Sequence, residues 1–263
     1  MPTERVILCM RWGPVFPVDY VNVLFRAVSA HLEPGFRFFC LTDQSEGLSP
    51  GIIPAPIPDI GLTPEQIRAP GVWRKLALFH PDVAALAPGA RALVIDLDMM
   101  ILGPLDRFFE ASGGMILLDT GHDWRPREPV QPSTGIFAFT LGEQPRILAA
   151  FQADIVGAMA RFRNEQDFVA AHAADVSLWP TGAVISFKRH LVRRYGRDLI
   201  LPPRAPHLGP AILAYHGDPR PADLVRPGLW GRLPHLGRGP VAWVQEYWTR
   251  YGGSLPITRE TKE

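Results

Sequence analysis

The sequence predicts an α/β chain built on a Rossmann-like, mostly parallel central sheet flanked by helices. Short continuous apolar runs at residues 6–10, 92–95 and 115–118 are bounded by charged or turn-forming residues, which is how strands buried on both faces of a sheet read. Between the runs at 6–10 and 36–41, Val21, Leu24, Phe25, Val28 and Leu32 recur at helical spacing, so strand, helix and strand follow one another as a βαβ unit. With 263 residues, 47% of them hydrophobic and 20% charged, the chain can bury one substantial core. A single domain over 1–250 with a flexible tail over 251–263 is expected.

Val6-Ile7-Leu8-Cys9-Met10 reads as a central strand running into the loop Arg11-Trp12-Gly13-Pro14. The helix over 18–32 is stopped by Glu33-Pro34-Gly35, and the strand 36–41 ends at Thr42 and Asp43. Ligands of open α/β sheets lie beyond the carboxyl ends of the strands, which places Arg11, Tyr20, Thr42 and Asp43 where a nucleotide would sit. Tyr20 could stack on a base, or pack the start of its helix. No Gly-x-Gly-x-x-Gly follows the first strand, which speaks against a dinucleotide-binding enzyme. Residues 44–72 carry Pro50, Pro54, Pro56, Pro58, Pro64 and Pro70 and should be irregular apart from one short helix at 64–68. A helix starts over 72–79. A short helix at 105–109, a strand at 115–118 ending in Asp119, a loop over 120–132 and a strand at 133–139 follow. Residues 144–162 have helical periodicity, 202–240 read as a Pro- and Gly-rich cover, and 241–251 as a final amphipathic helix.

Lys plus Arg number 27 against 26 Asp plus Glu, a net charge of +1, so no basic field suits nucleic acid. Cys9 and Cys40 each sit near the end of an apolar run, where free buried thiols in a reducing compartment are expected. Five apolar residues near the start are too few for a signal-peptide core, and nowhere do 18 apolar residues run together. The expectation is a cytoplasmic protein without a transmembrane segment, with peripheral membrane contact left open.

The informative stretch is 92–102, an apolar run with Asp96 and Asp98 set into it. On a strand the two would project from one side, roughly 6.6–7 Å apart at the backbone. Two carboxylates facing one way repel unless something positive joins them, and a divalent cation carrying phosphate oxygens, Mn²⁺ or Mg²⁺, meets that need. A salt-bridged strand end is the plainer alternative. Haloacid-dehalogenase-like phosphatases also carry Asp-x-Asp after an apolar strand, with small residues next, where this chain has Met99-Met100.

The run from Asp96 to Asp106 resembles the DxD segment of retaining glycosyltransferases of the GT-A fold, the glycogenin-like family, and further segments resemble that family in order. Lys75 resembles the lysine its members carry before DxD, reaching donor phosphate or sugar, although an isolated helical lysine is ordinarily solvated. Asp119 falls among the donor-sugar contacts. Ser133-Thr134-Gly135 resembles the family's Asn-x-Gly strand, with Ser133 in place of Asn. Glu165-Gln166-Asp167 resembles Asp-Gln-Asp, with Glu165 in place of the first Asp; this implies Gln166 or Asp167 beneath the reacting sugar. Residues 212–221 resemble the C-terminal His-x-x-Gly-x-x-Lys-Pro: Gly217, Arg220 and Pro221 fall in register, while Ala214 takes the His position and His216 lies two residues on. The resemblance implies a hexosyltransferase moving a sugar from a nucleotide-diphosphate donor, expected to be a UDP-sugar, to a glycan or lipid-linked acceptor. It implies a metal held by Asp96, Asp98 and His216, and phosphate contacts from Lys75 and Arg220. Two other readings stay open: a phosphatase with Asp96 as nucleophile, and a non-catalytic sugar-nucleotide or glycan-binding protein.

Overall fold

The structure is a computed structural model that describes residues 4–111, 113–193, 195–207 and 209–255. Its strands, in chain order, are β1 (Arg5–Arg11), β2 (Phe36–Thr42), β3 (Ile52–Ala55), β4 (Arg91–Ile95), β5 (Met99–Ile101), β6 (Met115–Asp119), β7 (Pro132–Thr140), β8 (Val176–Leu178), β9 (Val184–Ser186), β10 (Ile212–Ala214), β11 (Gly228–Arg232) and β12 (His235–Gly239). Seven of them form the main sheet in the order β3-β2-β1-β4-β7-β6-β8. Every neighbouring pair is parallel except the two that β7 makes, with β4 and with β6, so only β7 runs against the rest. The expected mostly parallel α/β sheet is what forms.

The apolar runs are continuous because both faces of this sheet are covered. Ile7 and Cys9 belong to one core with helix Val18–His31, while Val6, Leu8 and Met10 belong to the other with Trp73 and Phe151. On the second side Trp73 stacks on Phe151 at 5.6 Å between ring centroids, locking the 3-10 helix Trp73–Phe79 to helix Pro145–Ala153. Cys9 and Cys40 are paired in register on β1 and β2, both free and buried.

A smaller sheet, β5-β10-β9, packs beside the main one, with β10 antiparallel to β5 and parallel to β9. It brings residues around 100, 185 and 213 together, which no local pattern announces.

Several expectations need correction. Strand β3 falls in the stretch read as irregular; Pro54 is tolerated there because β3 is an edge strand and needs fewer ladder donors. The helical stretch 144–162 breaks at Asp154, whose carboxylate accepts the Gly157 N–H at 2.8 Å and starts a new helix. The Pro- and Gly-rich cover contains the hairpin β11–β12. Its glycines permit close packing: a Cβ on Gly237 would stand 2.1 Å from the Trp230 ring. The tail does not begin at 251. Tyr251 is buried, Arg26 donates to the carbonyls of Tyr251 and Gly252 at 3.0 and 2.9 Å, and the Ser254 N–H reaches Asp19 at 2.9 Å. The expected tail over 256–263 lies outside the described residues. Among the described residues no helix is long and apolar enough to cross a membrane.

Candidate active site

The Asp-x-Asp segment is a turn. Strand β4 ends at Ile95, and the Met99 N–H donates back to the Asp96 carbonyl at 3.2 Å, handing the chain from the main sheet to β5. The expected strand spacing of the two carboxylates therefore does not apply, because the chain leaves extended geometry at the first of them. The turn still carries Asp96 and Asp98 into one cavity of about 290 Å³, lined also by Trp12, Phe16, Lys75 and Arg220.

Lys75 is the hub. Val72 takes a left-handed conformation (φ 58°) that launches the 3-10 helix and drives Lys75 inward, where its side chain is 7% exposed. Its ammonium donates to Asp96 Oδ1 at 2.5 Å and to the Thr134 carbonyl at 2.7 Å, and lies 3.9 Å from Glu165 Oε1. Thr134 Oγ1 donates to that same Glu165 oxygen at 2.5 Å, while Glu165 Oε2 has no hydrogen-bond partner among the described residues. Gly135 leaves room for the group: Asp96 N–H donates to its carbonyl at 3.0 Å, and a Cβ there would press to 2.9 Å from Met99 Cε.

The electrostatics follow from burial. Asp98 is pushed up to about 7, first by desolvation and then by the Asp96 charge, with Arg220 and Lys75 opposing. Glu165 is also raised to about 7 by burial, against Lys75 and Thr134. Asp96 is raised by burial, with Lys75 pulling it back. Three carboxyls thus share one lysine and one arginine, and further positive charge in the cavity would favour their ionised forms.

The remaining expected site residues divide. Arg220 lines the cavity with its guanidinium 4.8 Å from the Phe16 ring centroid, and its buried Nε lacks a hydrogen-bond partner. Gly217 is exposed, at φ 69°, next to Lys188. Ser133 is buried on β7, its hydroxyl accepting the Gly135 N–H at 3.3 Å. Gln166 is half-buried in the first turn of helix Glu165–His172, whereas Asp167 pairs with Arg163 at 3.4 Å on the half-exposed side of that helix and does not line the cavity. Four residues expected at the donor are taken up by structure. Arg11 spends its guanidinium on the Phe16 carbonyl and on Gln44, fixing the loop after β1. Asp43 pairs with Arg74 at 3.2 Å. Tyr20 is 3% exposed, edge-on to Phe16 and Trp248, with its hydroxyl accepting the Ala222 N–H, so its face is closed to a base. Asp119 accepts three backbone N–H groups of the following loop. Trp12 and Phe16, which the sequence reading passed over, are the cavity's aromatic rings; their signal was two aromatics among Gly13, Pro14 and Pro17, where a tight loop leaves little else to bury them.

His216 does not join the aspartates in a three-ligand set. Among the described residues no three His, Cys, Asp or Glu side chains gather as a metal cluster. Ala214 ends β10 opposite Met99, and two residues later the chain has turned, so His216 Nε2 lies 3.2 Å from Ser186 Oγ with its ring on Trp124. Burial, then the charges of Lys188 and Arg189, lower it to about 4. The carboxyls that could hold a hard divalent cation are the Asp96–Asp98 pair, in which the Asp96 charge helps raise Asp98.

No family model matches the sequence, and no curated protein matches it significantly. Solved structures do match. The galactosyltransferase LgtC, in complex with donor and acceptor sugar analogues, superposes with a TM-score of 0.57 at 12% identity over 95% of this chain and 97% of that one. The glycosyltransferase GlyE of Streptococcus pneumoniae superposes with a TM-score of 0.59 at 11% identity over 94% of this chain, which spans 63% of GlyE. At such identities the likeness shows the fold alone, the mixed α/β architecture that this chain shares with those two structures.

Proposed function

We propose that this chain is a glycosyltransferase that takes a sugar from a UDP-hexose and transfers it to a hydroxyl of a glycan or lipid-linked acceptor, with retained anomeric configuration, in the cytoplasm. The observation that carries the reading is the turn holding Asp96 and Asp98 in the wall of an aromatic-sided cavity beside Lys75 and Arg220. That wall combines a face for a base with charge of both signs for a diphosphate and a cation. The fold likeness to LgtC and GlyE supports the same reading.

In this reading Trp12 and Phe16 flank the base, since a π-face stacks on any nucleobase. Arg220, whose Nε is unspent, donates to the diphosphate as a fork. Lys75 holds Asp96 in place and, through Thr134 and Glu165, sets a carboxyl below the sugar position. A divalent cation, Mn²⁺ or Mg²⁺, held by Asp96 and Asp98 would supply charge against the leaving diphosphate. In the transfer the bond from the anomeric carbon to the diphosphate breaks with its electron pair on phosphate oxygen. The acceptor oxygen forms the new bond and gives up its proton to the diphosphate or to solvent.

The test is a panel of UDP- and GDP-sugars with Mn²⁺, with Mg²⁺ or with chelator, reading nucleotide release. Metal-dependent UDP release from one UDP-hexose is expected. Turnover of an aryl phosphate with Mg²⁺ and no UDP release would replace the reading by a phosphatase. Donor binding without single-turnover release would replace it by a binding protein.

A further inference from the structure

Beyond His216 from the Asp96–Asp98 cavity lies a second, larger concavity of about 790 Å³. Its walls carry Arg125, Arg127, Lys188, Arg189 and Arg193 against a single carboxylate, Glu128. In a chain of net charge +1 this is a local concentration of positive charge, not a share of a general excess. Much of it is unspent. Glu128 is 3.8 Å from Arg125, whose Nε is buried without a partner, and neither Arg127 nor Arg189 makes a side-chain hydrogen bond or ion pair among the described residues. Arg193 is the exception, donating to the Pro202 carbonyl at 3.0 Å and lying 3.9 Å from Asp198.

The groove is joined to the cavity by short contacts. Lys188 Nζ donates to the His216 carbonyl at 2.6 Å and stands 3.6 Å from where a Gly217 Cβ would be, three residues before Arg220 in the cavity wall. Trp124, in the groove wall, packs on the His216 ring at 5.0 Å and is pinned by its indole N–H to the Val184 carbonyl at 3.0 Å. The charges are felt inside: burial chiefly, and then Lys188, Arg189, His235 and Arg125, hold the His216 imidazole in its neutral form.

We infer that this groove is the acceptor site and that it takes a saccharide bearing an anionic substituent, a phosphate or a carboxylate. This deepens the glycosyltransferase reading above and rests on it. A concave wall with an indole and several guanidiniums suits a sugar ring carrying an anion: Trp124 offers an apolar edge, and the Arg forks match carboxylate and phosphate alike. A flat anionic bilayer would leave the buried Trp124 and the half-buried Lys188 of this concave wall without contact.

The test is calorimetric titration of the full chain with disaccharides in neutral, phosphorylated and uronic-acid form, beside inorganic phosphate and phosphatidylglycerol vesicles. At low ionic strength at least one of the two anionic forms should bind about tenfold more tightly than its neutral parent, with the advantage shrinking as salt is raised. Phosphorylated against uronic-acid forms tells which anion is read. Arg189→Glu should erase the advantage and Arg189→Lys should keep most of it; Arg189 is exposed, and a thermal melt checks the fold of both variants. Equal affinity for neutral and anionic forms, or no binding of either anionic form, overturns the inference. So does inorganic phosphate binding as tightly as the phosphorylated sugar, or binding to vesicles alone. UDP release from donor without acceptor is scored separately: its absence alongside anionic-saccharide binding sinks the transferase reading and with it the acceptor role, leaving the groove an anionic-saccharide site, whereas UDP release without anionic-saccharide binding keeps the transferase reading and overturns the inference.

Discussion

Strands β4 and β6 end alike in sequence, Ala-Leu-Val-Ile-Asp96 and Met-Ile-Leu-Leu-Asp119, and their terminal carboxylates have opposite fates. Asp119 is 6% exposed and accepts the N–H groups of Gly121, Asp123 and Gln131 at 2.8, 3.2 and 2.9 Å. Its own loop satisfies it. Asp96 has a side chain 38% exposed, and its hydrogen-bond partner is Lys75, 21 residues away in sequence and on another element. A carboxylate drawn partly or wholly out of water must be satisfied in either case. When local backbone donors do this, the group organises a loop; when a distant cation does it and part of the carboxylate stays open to a cavity, the group is available to a ligand.

The sharpest test of that difference is a pair of substitutions. Asp98→Asn should lower metal-dependent UDP release on the order of 10²-fold or more while the melting temperature holds, because a neutral amide is tolerated where burial already disfavours the charge. Asp119→Ala should do the opposite, costing roughly 3 kcal/mol of stability by orphaning three backbone donors, as read by urea unfolding. If Asp119→Ala unfolds no more readily than the wild type and instead loses donor affinity, the two strand ends are not different in kind.

A smaller effect separates the aromatics. Trp12→Ala or Phe16→Ala should weaken UDP binding by about 1–3 kcal/mol, measured by titration, whereas Tyr20→Phe should leave it unchanged. A loss with Tyr20→Phe would return that ring to the donor site.

The smallest effect is on pH. Glu165 is raised from its ordinary value of 4.5 to about 7, so between those limits the unfolded chain releases a proton that the folded chain retains. Its contribution makes stability fall as pH rises from about 4.5 to 7 and level off above. Melting curves across that window should show a shallower fall for Glu165→Gln than for the wild type, and parallel slopes would mean that Glu165 is ionised in the fold.

Much of the architecture was legible because it is written in local patterns. The strands at 6–10, 36–41 and 115–118 and the helix after the first strand follow from apolar periodicity; the short helix Pro64–Arg68 was also expected, and the structure adds the Thr63–Gln66 capping box that starts it. Among the site residues, Lys75, Asp96, Asp98, Gly135, Glu165 and Arg220 do come together or line the cavity. The resemblance of their segments, in order, to the glycogenin-like family is what suggested it. What the sequence could not decide is how each polar group is satisfied, because hydrogen bonds form between residues brought close by the fold. Arg11, Asp43 and Asp119 sit at strand ends as expected, yet Gln44, Arg74 and a run of backbone N–H groups claim them first. Tyr20 opens its helix as read, but Trp248, more than two hundred residues on, closes over its ring. His216 depends on where the chain turns after β10, which the pairing of β10 with β5 and β9 sets. The basic groove gathers Arg125 and Arg127 from one loop with Lys188, Arg189 and Arg193 from around a π-helix turn. Composition alone averages those charges away to +1. Local periodicity determined the elements; the long-range pairing of strands and charges decided which side chains were left free to act.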